Sequence, residues 1–534
     1  MIGGPSPTYD AVVVGSGPNG LVAANKLADA GWSVLVLEAQ PELGGAVRSD
    51  HGVDPAFVHD TFSAFYPLAL ASPVIRSLEL ERHGLEWSHA PAPLGHPLPG
   101  GAWAVIHPDR HDTASGLDAL HPGDGEAWLK LCADWDRVGD PIVEALMATW
   151  PPVRGGVRAL ASMRHVGGLA FVKELLTPAV GLGRARFGGE APRLLLAGNG
   201  GHSDIPLESP GSGIFGMILT MLAQTVGFPV PRGGAGELTQ AMARRLTSLG
   251  GEIRLDSAVA RIEVDRGRVS AVRTVGGERF AVRRAVVADV SAPVLYERLV
   301  APEDLPASVA RGMTRFELDP GTVKVDWALD GPVPWTSPPP VAPGCLHVAD
   351  SVSAMQESLS QVVAGVVPRE PFLLAGQMTT ADASRSPQGT ESMWAYTHVP
   401  HETSYDAGSG GGPAVRGTWD RDDCERFADR MQAQLEKHAP DLASRIRARR
   451  VLGPHELEQR NGSLIGGAVN GGTSQLHQQL VFRPVPGTGR PTTGIKGLYL
   501  GSSSAHPGGG VHGACGANAA RAAVVGARVP RLRG

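Results

Sequence analysis

Three glycines and one glutamate near the start of the chain have the types and spacing needed to hold a nucleotide. Gly15, Gly17 and Gly20 form a GxGxxG turn, and Glu38 follows at the end of the next apolar run. In such a turn the first glycine permits a tight bend, the second lets the backbone approach a pyrophosphate, and the third allows close helix–strand packing. An acid about 20 residues further on accepts hydrogen bonds from ribose hydroxyls. The spacing therefore predicts a dinucleotide-binding site.

The elements around these residues must position them, and their patterns agree. Residues 11–14 are an apolar, valine-rich run typical of a parallel strand buried on both faces. Apolar residues then recur at helical spacing through residues 21–28, and residues 34–37 form a second apolar strand that ends at Glu38. The N-terminus of the predicted helix would present free N–H groups and a positive dipole end to phosphate. A complete strand–turn–helix–strand unit is predicted.

A second glycine pair, Gly44 and Gly45, indicates which dinucleotide is bound. It resembles the GG motif of the two-domain flavoproteins, in which further N–H groups meet the pyrophosphate and an arginine lies near it. That motif places arginine directly after the glycines, whereas here Arg48 comes after Ala46 and Val47. FAD is predicted rather than NAD; a glycine-rich surface turn with a solvated arginine is the alternative. The predicted contacts at this end are Gly15, Ser16, Gly17, Pro18, Asn19, Gly20, Glu38, Ala39, Gly44, Gly45, Ala46, Val47 and Arg48.

The end of the chain carries another glycine-rich turn. Residues 496–502 are typical of a strand that finishes in glycine, residues 503–516 are rich in glycine and serine, and an alanine-rich helix follows at 517–523. Bare N–H groups and a positive helix end would face a negative partner there. That partner is either the pyrophosphate side or the N1/O2 edge of a reduced flavin, whose stabilisation would raise the flavin's potential.

Composition excludes several classes of function. A chain of 534 residues is too long for one core, so two or three domains are expected. Its formal net charge of −5 argues against electrostatic binding of nucleic acid. The densest basic run, residues 445–450, is predicted to be a solvated helix end. No HExxH spacing or Ser/His/Asp order is present, so neither a metal site nor a hydrolase is predicted.

Four isolated cysteines bear on the compartment. They are far apart and form no CxxC pair, so neither a redox dithiol nor a zinc site is predicted. Each is expected to be a small buried hydrophobic residue. Isolated thiols, together with an N-terminus that lacks a signal-peptide pattern, predict a cytoplasmic protein. The cysteines are Cys132, Cys345, Cys424 and Cys515.

Residues 166–231 are unusually apolar. A polar, glycine-rich loop is predicted at residues 198–204, followed by an apolar run at residues 213–223. This run is shorter than the roughly 20 residues that a bilayer span needs. A buried helix lining an apolar cavity is therefore predicted, with shallow contact with a membrane, peripheral to the bilayer, as the alternative.

Three histidines are candidates for acid–base chemistry. His506 and His512 lie in the closing glycine-rich turn, and His202 lies in the polar loop before the apolar run. A histidine titrates near neutral pH and can accept a proton from a substrate. For each one singly, a hydrogen-bonded structural histidine is the favoured interpretation.

Five segments resemble the phytoene desaturase-like family of FAD-dependent oxidoreductases. Residues 455–472 and 480–487 resemble the subgroup related to pyridine nucleotide-disulfide oxidoreductase domain-containing protein 2, although this chain has no redox cysteine pair. The other three segments resemble the wider family and are residues 12–49 (VVVGSGPNG to GGAVRS), 233–253 (GGAGEL to LGGEI) and 497–523 (GLYLGSSSAHPGGG to NAARAA).

The resemblance implies an α/β fold: a Rossmann-type, amine-oxidase-like FAD-binding domain with a discontinuous α+β substrate domain. The FAD-binding domain would comprise residues 1–70, 232–295 and 485–534. The substrate domain would comprise residues 71–231 and 296–484, with the apolar helical part at 166–231.

Further FAD contacts follow only by analogy with the family. The backbone at Val259 would meet the adenine side. The family's strand before the closing turn often ends in Gly-Asp or Gly-Ala, and here Ser502 takes the second place and would bond a phosphate or ribitol hydroxyl. The residues expected along the ribityl chain and flavin are Gly501, Ser502, Gly510, Val511, Gly513 and Ala514.

The activity that the resemblance implies is dehydrogenation or desaturation of a small, largely apolar organic substrate, with hydride passing to flavin N5 and a proton to a base or water. Two alternatives stay open: a flavin-dependent amine or alcohol oxidase of specialised metabolism, and a non-catalytic FAD-binding interaction protein. The electron acceptor (O₂, a quinone or another carrier) and the oligomeric state also stay open.

Overall fold

The computed structural model describes residues 6–410 and 414–528, and it contains two seven-stranded sheets flanked by helices. The strands in the described residues are β1 (Thr8–Val14), β2 (Val34–Leu37), β3 (Ser49–Asp50), β4 (His59–Asp60), β5 (Trp87–Ser88), β6 (Ala92–Pro97), β7 (Trp103–Ile106), β8 (Val230–Pro231), β9 (Glu252–Arg254), β10 (Val259–Asp265), β11 (Arg268–Thr274), β12 (Arg279–Ala288), β13 (Gly321–Leu329), β14 (Pro343–Val348), β15 (Val366–Val367), β16 (Leu373–Gln377), β17 (Glu391–Val399), β18 (Tyr405–Asp406), β19 (Ile446–Leu452) and β20 (Leu498–Leu500).

The α-helices differ widely in length, from a single turn to the 24 residues of the fifth. They are α1 (Pro18–Asp29), α2 (Pro67–Ala71), α3 (Pro73–Arg76), α4 (Arg110–Leu120), α5 (Asp124–Met147), α6 (Val153–Met163), α7 (Leu169–Leu176), α8 (Ala179–Arg186), α9 (Glu190–Gly201), α10 (Ser212–Thr225), α11 (Gly236–Ser248), α12 (Ala307–Met313), α13 (Val352–Val363), α14 (Met378–Ala381), α15 (Arg421–Glu436), α16 (Leu442–Arg445), α17 (Pro454–Arg460) and α18 (Ala514–Arg528).

The first sheet runs in the order β10-β11-β12-β1-β2-β9, with β20 also paired to β12. Strands β20, β12, β1, β2 and β9 are parallel, and Val12 lies opposite Leu35 on one side and Val286 on the other. The valine-rich sequence suits strands buried on both faces. Its strands come from residues 8–37, 252–288 and 498–500, three stretches far apart in the chain.

Helices α1 and α18 pack together on one face of this sheet. The shared core is largely alanine, including Ala23, Ala519 and Ala523, and small side chains let the two helices approach closely. The approach is closest at Gly516, where any Cβ would collide with the backbone carbonyl of Asn19. This packing brings the first glycine-rich turn next to the last one.

The second sheet runs β19-β13-β17-β16-β14-β6-β7 and takes its strands from residues 92–106 and 321–452. Strands β13 and β17 pair along their whole length, with Lys324 opposite Tyr396 and Asp326 opposite Trp394. Helices α4 to α10 form a separate apolar core beside β6 and β7.

Two local predictions are wrong. Residues 198–201 close helix α9, because Asn199 donates to the Leu195 carbonyl and to Thr220, while glycine at 198 and 201 lets His347 and Phe372 pack against the helix. The basic run 445–450 lies largely in strand β19, because β13 supplies backbone partners. The Arg450 guanidinium is held there by Asp326 and Asp50.

Other expectations have a clear outcome. All four cysteines are buried free thiols, as predicted. Among the described residues, no helix is both long and apolar enough to cross a bilayer. The predicted domain boundaries stay a prediction, and residues 1–5, 411–413 and 529–534 of those domains lie outside the described residues.

Candidate active site

One cavity of about 1110 Å³ connects the two glycine-rich turns with the helical part of the molecule. Its nucleotide end, the part lined by the first turn, β2, β10 and the end of β12, is polar. Its helical end is the part lined by side chains of α5, α6, α7 and α10, and it is apolar. The predicted contacts that line the cavity are Gly15, Ser16, Gly17, Pro18, Asn19, Glu38, Ala39, Gly45, Ala46, Val47, Val259, Ser502, Gly510, Val511, His202 and His512.

The first turn is shaped by its glycines. Gly15 has φ +96°, a conformation that favours glycine, and its N–H donates to the Leu37 carbonyl at 2.8 Å. A Cβ on Gly17 would lie 2.6 Å from the Asp289 carboxylate, so the turn has no room for a side chain there. Helix α1 starts directly afterwards, with Gly17 as its N-cap residue. The backbone is therefore open to a phosphate at the point where the helix dipole is positive.

Glu38 is held beneath this turn. Its Oε2 accepts from the Ser16 N–H at 2.8 Å and the Ser16 hydroxyl at 2.7 Å, and its Oε1 accepts from the Gln40 N–H at 2.9 Å. The carboxylate is buried and lines the cavity. It is thus fixed where a ribose hydroxyl next to the pyrophosphate would meet it.

The second glycine pair packs onto the first turn. The Gly44 N–H donates to the Ser16 carbonyl at 3.1 Å, and a Cβ on Gly45 would lie 2.9 Å from the Gly17 Cα. Arg48 points elsewhere: its guanidinium donates to the Arg460 carbonyl at 2.9 Å, and it is not among the residues that line the cavity. Gly20 and Gly44 also lie behind the lining, where they support the two turns.

The closing turn is held by residues 470–483, which come shortly before it in the chain. The Ser504 hydroxyl donates to the Gly471 carbonyl at 2.8 Å. The buried Arg483 guanidinium donates to carbonyls on both sides, at Asn470 (2.9 Å) and Ser503 (2.8 Å). Gly501, Gly513 and Ala514 lie behind the lining; the last two lead into helix α18.

The three predicted histidines lie in different surroundings. His512 lines the cavity, and its Nδ1 accepts from the Ala514 N–H at 3.0 Å, which places its ring proton on Nε2. His202 also lines the cavity, with its Nε2 3.0 Å from the Nε2 of His347. His506 does not line it; the ring packs edge-on against Trp150 and neither nitrogen has a partner among the described residues. Burial lowers the pKa of His512 and His506 to about 4 and that of His202 to about 3.

The helical end of the cavity has an apolar wall and an aromatic wall. Trp394 and Tyr396, both on β17, stack at 6.0 Å, and the Lys324 ammonium lies 5.9 Å from the Trp394 ring centre. Lys324 pairs with Asp326, and burial lowers the pKa of the ammonium. The aliphatic side chains of the apolar wall are Leu146, Met147, Leu160, Met163, Val172, Leu175, Leu176, Ile214, Ile218 and Leu219.

Several residues of the site were not predicted. Asp289, Ser291, Arg460 and Ser463 line the nucleotide end, and Lys324 lines the other end. Residues 455–472 stood out by their resemblance to the subgroup, but no spacing in that segment marked a ligand. Asp289, Ser291 and Lys324 belong to strands or follow them, and the apolar pattern of those strands indicates only that they are buried.

The nucleotide end fits FAD. Gly17 packs against the Asp289 carboxyl and Gly45 against Gly17, so closely that only bare backbone fits on this side of the cavity. The buried Ser291 hydroxyl faces the cavity without a hydrogen-bond partner among the described residues. A buried hydroxyl of this kind is costly unless a ligand satisfies it. Gly15–Asn19 and Ser291 would hold the pyrophosphate, Glu38 a ribose, and residues 509–512 the flavin.

Two family models match parts of the chain. The one described as flavin containing amine oxidoreductase matches residues 162–345. The one described as NAD(P)-binding Rossmann-like domain matches residues 13–76.

Named relatives and a solved structure match nearly all of it. Pyridine nucleotide-disulfide oxidoreductase domain-containing protein 2 of Rattus norvegicus is 28% identical over 96% of this chain and 93% of its own length. The lycopene-forming phytoene desaturase of Pantoea ananas is 24% identical over 96% of this chain and 98% of its own. The structure of wild-type putrescine oxidase bound to putrescine has a TM-score of 0.59 at 17% identity, covering 98% of this chain and 99% of that one, and shows the fold alone. Together these matches confirm the predicted fold class. The flavin-containing family model confirms the predicted cofactor, FAD.

Proposed function

The chain belongs to the phytoene desaturase-like family of FAD-dependent oxidoreductases, and from this membership we propose that it removes a hydride from a largely apolar organic molecule. The observation that supports this most is the continuity of one cavity from the glycine-rich turns to an aliphatic and aromatic chamber. When bound, FAD supplies the hydride acceptor. The residues of the chain hold the substrate beside it and exclude water.

The charged side chains that line the cavity favour a neutral substrate over a protonated amine. Among the described residues that line the cavity, the carboxylates are Glu38 and Asp289, and both lie at the nucleotide end. The lining cations are Lys324, Arg298 and Arg460. A protonated amine in the apolar chamber would therefore find an ammonium and no carboxylate, and burying such an unpaired charge is costly. A neutral substrate avoids that cost.

We propose His202 as the residue that meets the substrate proton. It lines the cavity at the end of helix α9, and His347 fixes its ring through the Nε2–Nε2 contact of 3.0 Å. Burial lowers the pKa of His202 to about 3, so the imidazole is neutral near pH 7 and holds an accepted proton only transiently. His512, with Nδ1 bound to the Ala514 N–H, is proposed to shape the closing turn.

The test is an anaerobic screen of polyenes, other apolar donors, alcohols and alkylamines, read as loss of the visible flavin absorbance of the purified holoenzyme. We expect an apolar donor to reduce the flavin at least about tenfold faster than any alkylamine. Faster reduction by an alkylamine than by any apolar donor would contradict the proposal and identify an amine oxidase. Failure of every donor, together with resistance to photoreduction, would favour a non-catalytic FAD protein. Readmitting O₂, or adding a quinone, to the reduced protein then identifies the electron acceptor.

We also propose shallow contact of the cavity mouth with a lipid bilayer. Helices α6 and α7 expose aliphatic side chains around the mouth, with Val157 63% and Leu169 86% exposed. Leu160 and Leu176 are exposed and also line the cavity, so an apolar substrate could pass between bilayer and chamber. An amphipathic helix with exposed aliphatic residues lies readily in a membrane interface.

Sedimentation with vesicles of mixed zwitterionic and anionic phospholipid tests this contact. We expect Val157→Glu with Leu169→Glu to lower the bound fraction at least about fivefold. Val275→Glu is the matched control, since Val275 is 72% exposed at the end of β11, away from the mouth. Equal binding by all three proteins, or none by the wild type, would contradict the contact.

A further inference from the structure

Asp289 directly follows strand β12 and lies beneath the first glycine-rich turn. Its Oδ2 accepts from the Gly20 N–H at 2.7 Å, inside the first turn of helix α1. Its Oδ1 has no hydrogen-bond partner among the described residues, and the exposed edge of the side chain faces the cavity. A carboxyl oxygen thus stands free where the pyrophosphate would lie.

The groups that face Asp289 offer it no counter-ion. Glu38, from β2, is the charged neighbour, and the Cys515 thiol of α18 lies on the other side with its pKa raised to about 12. Gly15, Gly17 and Gly20 of the turn contribute backbone only. Arg298 and Arg460 line the same cavity, but no described cation forms an ion pair with Asp289.

We propose that Asp289 binds FAD as the neutral acid, with its Oδ1–H donating to a pyrophosphate oxygen, so that FAD binding is linked to one proton on this carboxyl. The proposal rests on FAD occupying the cavity as proposed above. An ionised carboxylate at this position would instead repel the two negative charges of the pyrophosphate. A protonated carboxyl supplies one donor more than the backbone of the turn provides.

The electrostatics of the protein support a neutral Asp289. Burial raises the pKa of Asp289 to about 7 and Glu38 pushes it the same way, against the Gly20 hydrogen bond. The pyrophosphate, being negative, raises this pKa further in the complex. Above about pH 7 the free protein must therefore take up a proton to bind FAD. Affinity then falls about tenfold for each pH unit, one proton per FAD.

The test is release of FAD from the holoenzyme on dilution, followed by the fluorescence of free FAD between pH 6 and 9. For the wild type we expect Kd to be nearly constant from pH 6 to 7 and to rise close to tenfold per unit above that. Asp289→Asn keeps an acceptor for Gly20 and cannot ionise, so its Kd should vary less than about twofold over the range. The cavity histidines, with pKa values of about 3 and 4, do not titrate in this window.

Glu391→Gln is the matched control. Burial raises the pKa of Glu391 to about 7 as well, but Thr379 and Thr380 hold this carboxyl and it does not line the cavity. It should retain the wild-type pH dependence. A flat wild-type profile, or a wild-type slope in Asp289→Asn, would overturn the proposal.

An infrared measurement keeps the proposal testable if Asp289→Asn does not fold. The wild-type holoenzyme at pH 8 should show a protonated carboxyl C=O band that disappears when FAD is removed at the same pH. Absence of that band would count against the proposal, while the dilution experiment still establishes whether FAD is bound. Failure to bind FAD at any pH would instead remove the proposed function itself.

Discussion

The two ends of the cavity are built by different means. The nucleotide end consists of turns whose glycines and short side chains are close together in sequence, such as residues 15–19 and 45–47. The helical end collects single side chains from α5, α6, α7, α10 and β17. A side chain added at a single glycine disrupts the nucleotide end, whereas the shape of the helical end depends on each of the side chains that line it. Variants at the two ends should therefore have separable effects on FAD affinity and on substrate turnover.

The largest effect is expected at the nucleotide end from Gly17→Val. A side chain there would collide with the Asp289 carboxyl, which lies 2.6 Å from the Cβ position, and would force the turn out of its present shape. We expect the Kd for FAD to rise at least about 100-fold, roughly 3 kcal/mol, measured by dilution of the holoenzyme. Gly116→Ala, at a helical site with nothing within 4 Å, is the control and should bind FAD normally. Unchanged affinity in Gly17→Val would mean that the turn does not hold the pyrophosphate.

Ile218→Trp, at the helical end, should slow substrate turnover and leave FAD affinity nearly unchanged. Ile218 is buried on α10 and lines the helical end, so a larger ring takes the volume that the substrate would fill. We expect flavin reduction by the fastest wild-type donor to slow at least about tenfold, with the Kd for FAD within about twofold. Stopped-flow absorbance under anaerobic conditions measures the rate. A loss of FAD affinity equal to the loss of rate would show that the two ends are not separable.

The buried imidazoles beside the helical end predict a pH effect on stability. Burial lowers the pKa of His96 to about 4, and its Nε2 bonds the Ala349 carbonyl at 2.8 Å. Below about pH 6.5 the unfolded chain binds a proton that the folded chain does not, so folding stability falls as pH drops towards 4. His96→Gln should reduce that fall by roughly 1.4 kcal/mol per pH unit, measured by urea unfolding at pH 6.5 and 5. Parallel profiles for the two proteins would contradict the assignment.

The smallest effect is expected from Ser291→Ala at the nucleotide end. The Ser291 hydroxyl is buried without a partner among the described residues, so its removal should leave the stability of the FAD-free protein unchanged or higher. FAD affinity should fall about fivefold, roughly 1 kcal/mol, for the loss of one hydrogen bond. Ser504→Ala is the contrasting control, because that hydroxyl bonds the Gly471 carbonyl and its loss should destabilise the fold. Equal FAD affinity in Ser291→Ala and wild type would remove Ser291 from the site.

The same difference between the two ends decides what the sequence could predict. The first turn, its flanking strands and Glu38 are local in sequence, and glycine spacing with apolar periodicity was enough to predict the unit. Helix α18 and strand β20 followed from a similar local pattern. The buried cysteines followed from their isolation. For the first turn, β20 and α18, the sequence pattern that carries the prediction lies within about one supersecondary unit, although β20 pairs with β12 and α18 packs against α1.

Contacts between distant segments could not be predicted. Arg48 turns to the Arg460 carbonyl, 412 positions away, and Asp289 meets Gly20 from 269 positions away. The run 445–450 became a strand because β13 offers hydrogen bonds and Asp326 offers a counter-ion to Arg450. The assembly of the helical end, with His347 against His202, depends on tertiary packing alone.

The most direct test is a crystal structure of the protein with FAD bound. The pyrophosphate should lie on Gly15–Asn19 with the ribose at Glu38, and the flavin ring should lie on residues 509–512 facing the apolar chamber. FAD in the reverse orientation, or outside this cavity, would contradict the assignment of the two ends.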